Sequence, residues 1–262
     1  STRPQRTQLP FLRFVVHSGL LVAAIATVMA GACAAGMGGA LGAAGLGTIF
    51  FGTLAVYAYD RRIDDRVDRP HRQAFDARHR RLLTAISVGS AAIAAWIALR
   101  LPSAAMAVLA VTVLLALAHP HLRTVAWFKP LYIALAWTAV VVVLPAVLLE
   151  RPLGVAAGEL LPVGLAILAN VIACDAADRE AEATRIGRHR AWWIARALAW
   201  AGVASALVGP AAGAALAAIP LGIALALAPY RPRADFKPVL DGALGVGGLV
   251  AWGLAAGLRV GL

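Results

Sequence analysis

Nine long apolar runs, separated by short polar stretches or by proline and glycine, set the pattern of this chain. Each run is roughly 17 to 24 residues long, and a helix needs about 20 mostly apolar residues to cross the hydrocarbon core of a bilayer. The pattern therefore predicts nine transmembrane helices. They fall approximately at residues 11–34, 39–59, 82–100, 102–118, 130–149, 158–176, 191–209, 211–229 and 238–258.

Two of the links between these runs are very short. Residues 100–102 alone join the third and fourth runs, and residues 209–210 join the seventh and eighth. Short links favour antiparallel helical hairpins, so both pairs are predicted to pack tightly. Glycines that would allow close contact between helices are Gly38, Gly42, Gly45, Gly242, Gly245 and Gly248.

The composition agrees with a membrane protein. Of the 262 residues, 61% are hydrophobic and 14% are charged, whereas an average soluble domain is about half apolar and a quarter charged. The expected fold class is all-α and polytopic, with residues 1–262 forming a single domain. Both cysteines, Cys33 and Cys174, lie within apolar runs, so a secreted disulfide framework is not expected. The tryptophans predicted to lie at the membrane interface are Trp127, Trp192 and Trp193.

The net charge of +11 is compatible with nucleic-acid binding until the positions of the basic residues are considered. All but three of the 24 Lys and Arg residues lie at the N-terminus or next to the loops after even-numbered runs; the exceptions are Arg100, Arg151 and Arg259. Short cytoplasmic loops of membrane proteins collect Lys and Arg. The distribution predicts a cytoplasmic N-terminus and an external C-terminus, and the expected location is a bacterial-type inner (plasma) membrane. Its basic face would then meet membrane lipids and an anionic substrate, not nucleic acid.

Two acidic clusters lie on this predicted cytoplasmic face. The first occupies residues 59–72, after the second run, and the second occupies residues 175–182, after the sixth run. Successive helical residues turn by about 100°, so each cluster presents three carboxylates on one face. The two sets are Asp60, Asp64 and Asp68, and Asp175, Asp178 and Glu182. Their matching positions indicate a weak internal duplication, with halves of about 1–125 and 126–262.

These carboxylates indicate a possible chemistry. Carboxylate oxygens suit Mg²⁺, which is usually held together with substrate phosphates. Cations on the same face, including Arg123 and Lys129, would neutralise a diphosphate, and an isoprenoid chain would fit the apolar interior. The alternative is that the acidic residues only balance the Arg-rich loops through weak surface ion pairs.

The chain resembles the UbiA-type intramembrane prenyltransferases, which have nine spans, an N-D-x-x-D-x-x-x-D motif after the second span and a D-x-x-D-x-x-x-D motif after the sixth. The second motif reads D-A-A-D-R-E-A-E, with Glu182 in place of the last Asp. The first lacks the leading Asn-Asp pair, and Val56 and Tyr57 stand roughly there. Two registers fit the rest, and both retain Asp60 and Asp64; Asp68 falls on an acidic position in one and on a common Asn position in the other.

Other positions resemble the family less closely. His119 and Arg123 are similar to its Tyr-x-x-x-Lys pattern at the end of the fourth span. Asn170 lies where a polar contact to the diphosphate is expected, although an interhelical hydrogen bond would also explain it. Asp241, near the start of the ninth run, is expected either to face the cavity or to act as a helix N-terminal carboxylate.

The resemblance implies nine helices around a central cavity and a Mg²⁺-dependent transfer of an isoprenyl group. The donor would be a prenyl diphosphate, and the acceptor an aromatic or other lipophilic molecule. The six carboxylates would bind the metal, and the residues that assist would be His119, Arg123, Lys129 and Asn170. The alternatives are a terpene cyclase of the same type and a non-catalytic lipid-binding or transport protein.

Overall fold

A computed structural model of the protein describes residues 14–15, 18–63, 70–122, 128–178, 186–208, 212–227 and 237–260. Within these ranges the chain is helical and contains no β-strand. Nine helices account for almost all of the described part. Their bounds are Leu20–Gly36 (α1), Ala43–Ile63 (α2), Pro70–Ala98 (α3), Ser103–Leu122 (α4), Phe128–Leu148 (α5), Leu153–Asp178 (α6), Arg188–Val208 (α7), Ala212–Leu227 (α8) and Lys237–Val260 (α9).

Each predicted apolar run coincides with one of these helices, which confirms the all-α class. The largest difference lies at α3, which begins at Pro70 and not near residue 82. Hydropathy marks only the apolar part of a helix, and the first turns of α3 carry polar side chains such as His79 and Arg80. Proline is favoured at the first helical position, so Pro70 is the sequence feature that sets the start.

Three helical segments in the described ranges are long and apolar enough to cross a membrane, namely Ala77–Ala98, Phe128–Leu148 and Gly154–Ala177. Only 22% of the apolar window in Ala77–Ala98 is buried inside the protein, and its exposed side chains include Val88 and Trp96. An exposed apolar surface of this extent is unfavourable in water and favourable against lipid. The chain therefore carries helices suited to a membrane.

Helix α5 is interrupted by a π-helical turn. The turn covers Ala139–Val143, and Pro145 follows two residues after it, with Leu144 between them. Because Pro145 has no N–H for the carbonyl four residues earlier, Val141 loses its α-helical donor. The turn with i→i+5 hydrogen bonding thus lies directly before the proline that removes this donor.

Helices α1 and α6 lie at the centre of the packing. Helix α1 contacts α2, α5, α8 and α9, and α6 contacts α5, α7, α8 and α9. The buried core includes Met29, Leu144 and Ile167. Trp192 on α7 is also fully buried, so its predicted place in an interfacial belt is wrong, whereas its neighbour Trp193 is exposed. The two indoles differ because consecutive residues of a helix point about 100° apart.

One of the two predicted hairpins is also wrong. Helices α7 and α8 pack against each other as expected. Helices α3 and α4 scarcely touch, although only residues 99–102 join them: α3 packs on α2, and α4 packs on α5. A short link fixes where two helices meet, but apolar contact decides which neighbour each helix packs against.

The contact between α1 and α9 depends on glycine. Gly245 lies against Ile25, and Gly248 lies against Val28, so tightly that an added Cβ would be 3.0 and 2.9 Å from their side chains. These two glycines therefore act as predicted, while Gly242 has open space around it. The contact between α1 and α9 also involves Gly31 of α1, which the sequence pattern did not single out.

We expect Gly31→Ala to destabilise the protein. The added Cβ would lie 2.9 to 3.0 Å from the indole of Trp252 on α9, and overpacking of this kind costs about 1–3 kcal/mol. Thermal unfolding of the purified protein in detergent measures the effect.

Gly253→Ala is the matched control, because an added Cβ there meets nothing within 4 Å. It should leave stability unchanged or raise it slightly, since alanine favours helix more than glycine by up to about 1 kcal/mol. Trp252→Leu should relieve the defect of Gly31→Ala. An equal loss in Gly31→Ala and Gly253→Ala would contradict the proposed contact.

Candidate functional site

An ion pair joins α5 and α6 at one end of the helical assembly. Lys129 Nζ lies 3.3 Å from Asp175 Oδ1, and only 12% and 11% of the two side chains are exposed. Lys129 is in the first turn of α5 and Asp175 is in the last turn of α6. Two residues that the sequence placed in one site are thus in direct contact.

Helix electrostatics do not explain this arrangement. The helix dipole disfavours a cation at a helix N-terminus and an anion at a C-terminus, by about 0.3–1 kcal/mol each, and Lys129 and Asp175 have these positions. A largely buried ion pair also loses hydration, at a cost comparable to its Coulomb attraction. Because stability gives little reason for the pair, its position favours a binding role.

An aromatic contact links the C-terminal half of α2 to α5. Trp137 Nε1 donates a hydrogen bond to the Tyr57 hydroxyl at 3.3 Å, and the two rings meet at 86° with centroids 6.2 Å apart. Tyr57 lies one turn before Asp60, and Trp137 lies about two turns after Lys129. The C-terminal ends of α2 and α6 therefore both lie toward the N-terminal end of α5, which brings Asp60 and Asp175 to the same end of the assembly.

The other side of α6 carries a second polar group of residues. Asn170 Nδ2 donates to Asp241 Oδ1 on α9 at 2.9 Å, and the Cys174 thiol lies 3.8 Å from the same oxygen. Asn170 and Cys174 are four residues apart and share a helix face. The expected interhelical hydrogen bond of Asn170 is thus present, and its contact to a diphosphate stays a prediction. Asp241 on α9 thus contacts α6 through Asn170 and Cys174.

The end of α6 is fixed by an arginine of the next helix. Arg188 Nε donates to the Ala176 carbonyl at 2.9 Å. The last carbonyls of a helix have no N–H donor within the helix. An arginine that donates to one of them therefore caps the helix. Arg188, predicted only as part of the basic cytoplasmic face, therefore holds the turn that carries Asp175.

The remaining predicted site residues are not all within the described part. The backbone of His119 and of Asp178 is described and is helical. The side chains of these two residues are outside the described part. The other predicted residues outside the described ranges are Asp64, Asp68, Arg123 and Glu182.

The side chains that the structure describes contain no group of three or more His, Cys, Asp and Glu residues that could hold a metal ion. Asp60 and Asp175 supply the hard oxygen donors that Mg²⁺ prefers, and both are at the same end of the assembly. The donor chemistry fits the metal, and the described residues contribute one carboxylate from each predicted motif.

Sequence reasoning missed the two aromatic residues of the site. Tyr57 falls near the missing Asn-Asp pair of the first motif and lies three residues before Asp60. The helical period would therefore have placed it on the same helix face as Asp60. Trp137 lies within an apolar run and has no local signal. No family model matches this chain, and no similar protein was found among curated sequences or among solved structures.

Proposed function

We propose that the protein is a Mg²⁺-dependent intramembrane prenyltransferase of nine transmembrane helices, with its site on the cytoplasmic side of a bacterial-type inner membrane. The observation that carries the proposal is the Lys129–Asp175 pair at the same end of an apolar helical assembly as Asp60. Charged groups of both signs beside an apolar interior suit a substrate with an anionic head and a hydrocarbon tail.

The charged residues would bind the diphosphate. When bound, Mg²⁺ supplies positive charge that neutralises the diphosphate and the leaving pyrophosphate. Asp60 and Asp175 would hold it, together with the predicted partners Asp64, Asp68, Asp178 and Glu182. Lys129 contributes a cation next to Asp175 and would form a charge-assisted hydrogen bond to a diphosphate oxygen.

The aromatic pair would lie along the hydrocarbon part of the substrate. Tyr57 and Trp137 are both half-buried and lie one to two turns from the charged residues toward the interior of the helices. Aromatic rings attract a cation at their faces by about 0.5–2 kcal/mol. This placement supports a role in orienting the prenyl chain and stabilising positive charge on its allylic carbon.

The proposed reaction breaks the bond between the allylic carbon and the diphosphate oxygen, and the electron pair leaves with pyrophosphate. A nucleophilic atom of the lipophilic acceptor then forms a bond to the allylic carbon, and the acceptor loses a proton to solvent. Residues that bind the pyrophosphate therefore stabilise charge where it develops, which is the strongest catalytic effect a preorganised site offers.

The test is an assay of the purified protein in lipid nanodiscs with geranylgeranyl diphosphate and a panel of lipophilic aromatic acceptors. We expect pyrophosphate release that requires Mg²⁺ and rises with the correct acceptor, together with a prenylated product detected by mass spectrometry. EDTA should stop both.

The rival functions give different results in the same preparation. A terpene cyclase would release pyrophosphate without an acceptor and form a cyclic hydrocarbon. A transporter would take up solute into proteoliposomes and show no Mg²⁺-dependent binding of prenyl diphosphate. Either result would overturn the proposed transfer reaction.

A further inference from the structure

Glu159 lies in the second turn of α6, at the end of the molecule opposite Asp175. Only 1% of its surface is exposed, and its carboxyl group lies against Gly36, the last residue of α1. The backbones of α1 and α6 make few close contacts with each other. The Glu159 side chain therefore reaches across from one central helix to the other.

This carboxyl group has an environment that favours its neutral form. Neither of its oxygens has a hydrogen-bond partner among the described residues, and burial without a partner disfavours a charge far more than a neutral polar group. The C-terminal end of α1 also carries the negative end of the helix dipole, which disfavours an anion. Glu159 lies within the apolar segment Gly154–Ala177, where an ionisable residue is costly and usually has a function.

Few titratable groups lie near Glu159. Cys33, three residues before Gly36 on α1, is buried and close enough for the charge of Glu159 to act on its thiol. Glu150 and Arg151, in the link between α5 and α6, are exposed. The halves of α5, α7, α8 and α9 that lie at this end contain no titratable side chain within the described part. The carboxyl group therefore has a buried thiol beside it and no described cation.

Two links close this end of the molecule. Arg151 Nη2 donates to the Gly38 carbonyl at 3.1 Å, and Leu149 lies so close to Gly39 that an added Cβ would be 2.5 Å from its side chain. Gly38 and Gly39 follow Gly36 by two and three residues, so this contact lies next to Glu159 in the chain. Water therefore reaches the carboxyl group only when the end of α1 separates from α6.

We propose that Glu159 is a proton-binding site that controls the contact between α1 and α6. With the proton bound, the carboxyl group is neutral and stays buried against Gly36. When the proton passes to solvent water, the carboxylate requires hydration, so the last turn of α1 separates from α6 and water enters beside Cys33. The inference does not depend on the proposed transfer reaction.

The two cysteines of the chain allow this opening to be measured. Both are buried, with 2% of Cys33 and 5% of Cys174 exposed, so each reacts with a thiol reagent only when its surroundings open. Cys33 lies beside Glu159, whereas Cys174 lies near the other end of α6. The purified protein in detergent is labelled with N-ethylmaleimide between about pH 6 and 9, where thiols and buried acids titrate. Mass spectrometry of peptides then gives the labelling rate of each cysteine.

The comparison is with Glu159→Gln, which keeps the shape of the side chain and has no proton to lose. Because the thiolate is the reactive form, labelling also rises with pH through the thiol itself, and the ratio of the two proteins cancels this effect. The ratio at Cys33, unmodified protein over Glu159→Gln, should rise about ten-fold or more across the pH range, since one pH unit changes the equilibrium of a one-proton step ten-fold. The ratio at Cys174 should stay constant.

The matched control is Glu150→Gln, which removes an exposed carboxyl group at the same end of the molecule. It should label at Cys33 with the pH dependence of the unmodified protein. If Glu159→Gln does not fold, Glu159→Met gives the same comparison, since it also lacks the proton. The same pH dependence at Cys33 with and without the Glu159 carboxyl group would overturn the proposal. So would an equal rise at Cys174, because general unfolding would then expose both thiols.

Discussion

Replacing Asp175 by asparagine should lower Mg²⁺-dependent prenyl transfer by about 100-fold or more, the usual effect of removing one electrostatic contact to a transition state. Asparagine keeps the shape of the side chain and one oxygen, but it removes the negative charge. The charge has two uses in the proposed site: it binds the metal, and it is the partner of Lys129 at 3.3 Å. Initial rates at saturating prenyl diphosphate, over a range of Mg²⁺ concentrations, measure the loss.

The matched control for this variant is Glu150→Gln. Glu150 is an exposed acidic residue just after the opposite end of α5, so it undergoes the same loss of charge far from Asp175. Its rate should stay within about three-fold of the unmodified protein. Size-exclusion chromatography and thermal unfolding show whether Asp175→Asn remains folded. A folded Asp175→Asn protein with an unchanged rate would remove Asp175 from the proposed catalytic residues.

The helices were predictable from the sequence because their signal is local. Runs of apolar residues locate all nine, and prolines mark boundaries that hydropathy does not show, as Pro70 does for α3. The partners of the helices were less predictable. The predicted α3–α4 hairpin is wrong because packing of each helix on a different neighbour is decided by the whole set of apolar faces, which a short link does not reveal.

In the candidate site, too, the individual residues were predictable from the sequence but the contacts between them were not. Residue type and spacing singled out Asp60, Lys129 and Asp175 one by one, since charged residues next to apolar runs are conspicuous. The contact between Lys129 and Asp175 spans 46 residues of sequence and depends on how α5 and α6 meet. Trp137 has no local signal at all, because tryptophan is ordinary in an apolar helix, and only its hydrogen bond to Tyr57 marks it.

Glu159, on the half of α6 away from Asp175, was not predicted to matter, and it is the most unusual buried residue of the described part. Only 1% of its surface is exposed, and among the described residues neither carboxyl oxygen has a hydrogen-bond partner. The carboxyl group lies against Gly36 at the end of α1, in space that a Cβ at that position would occupy. A buried polar group without a partner is unfavourable in either protonation state.

We therefore expect Glu159→Met to stabilise the protein by about 1–3 kcal/mol, because an apolar side chain of similar length replaces an unpaired buried polar group. In a protein of this size the gain corresponds to a rise in Tm of roughly 2–4 °C per kcal/mol. Thermal unfolding in detergent at constant pH measures it. Glu159→Gln should change Tm little, since its amide is equally unpaired, and exposed Glu150→Met should stay within about 0.5 kcal/mol. A lower Tm for Glu159→Met would show that the carboxyl group binds a stabilising partner, and Gly36 would then mark the place on α1 where that partner is held.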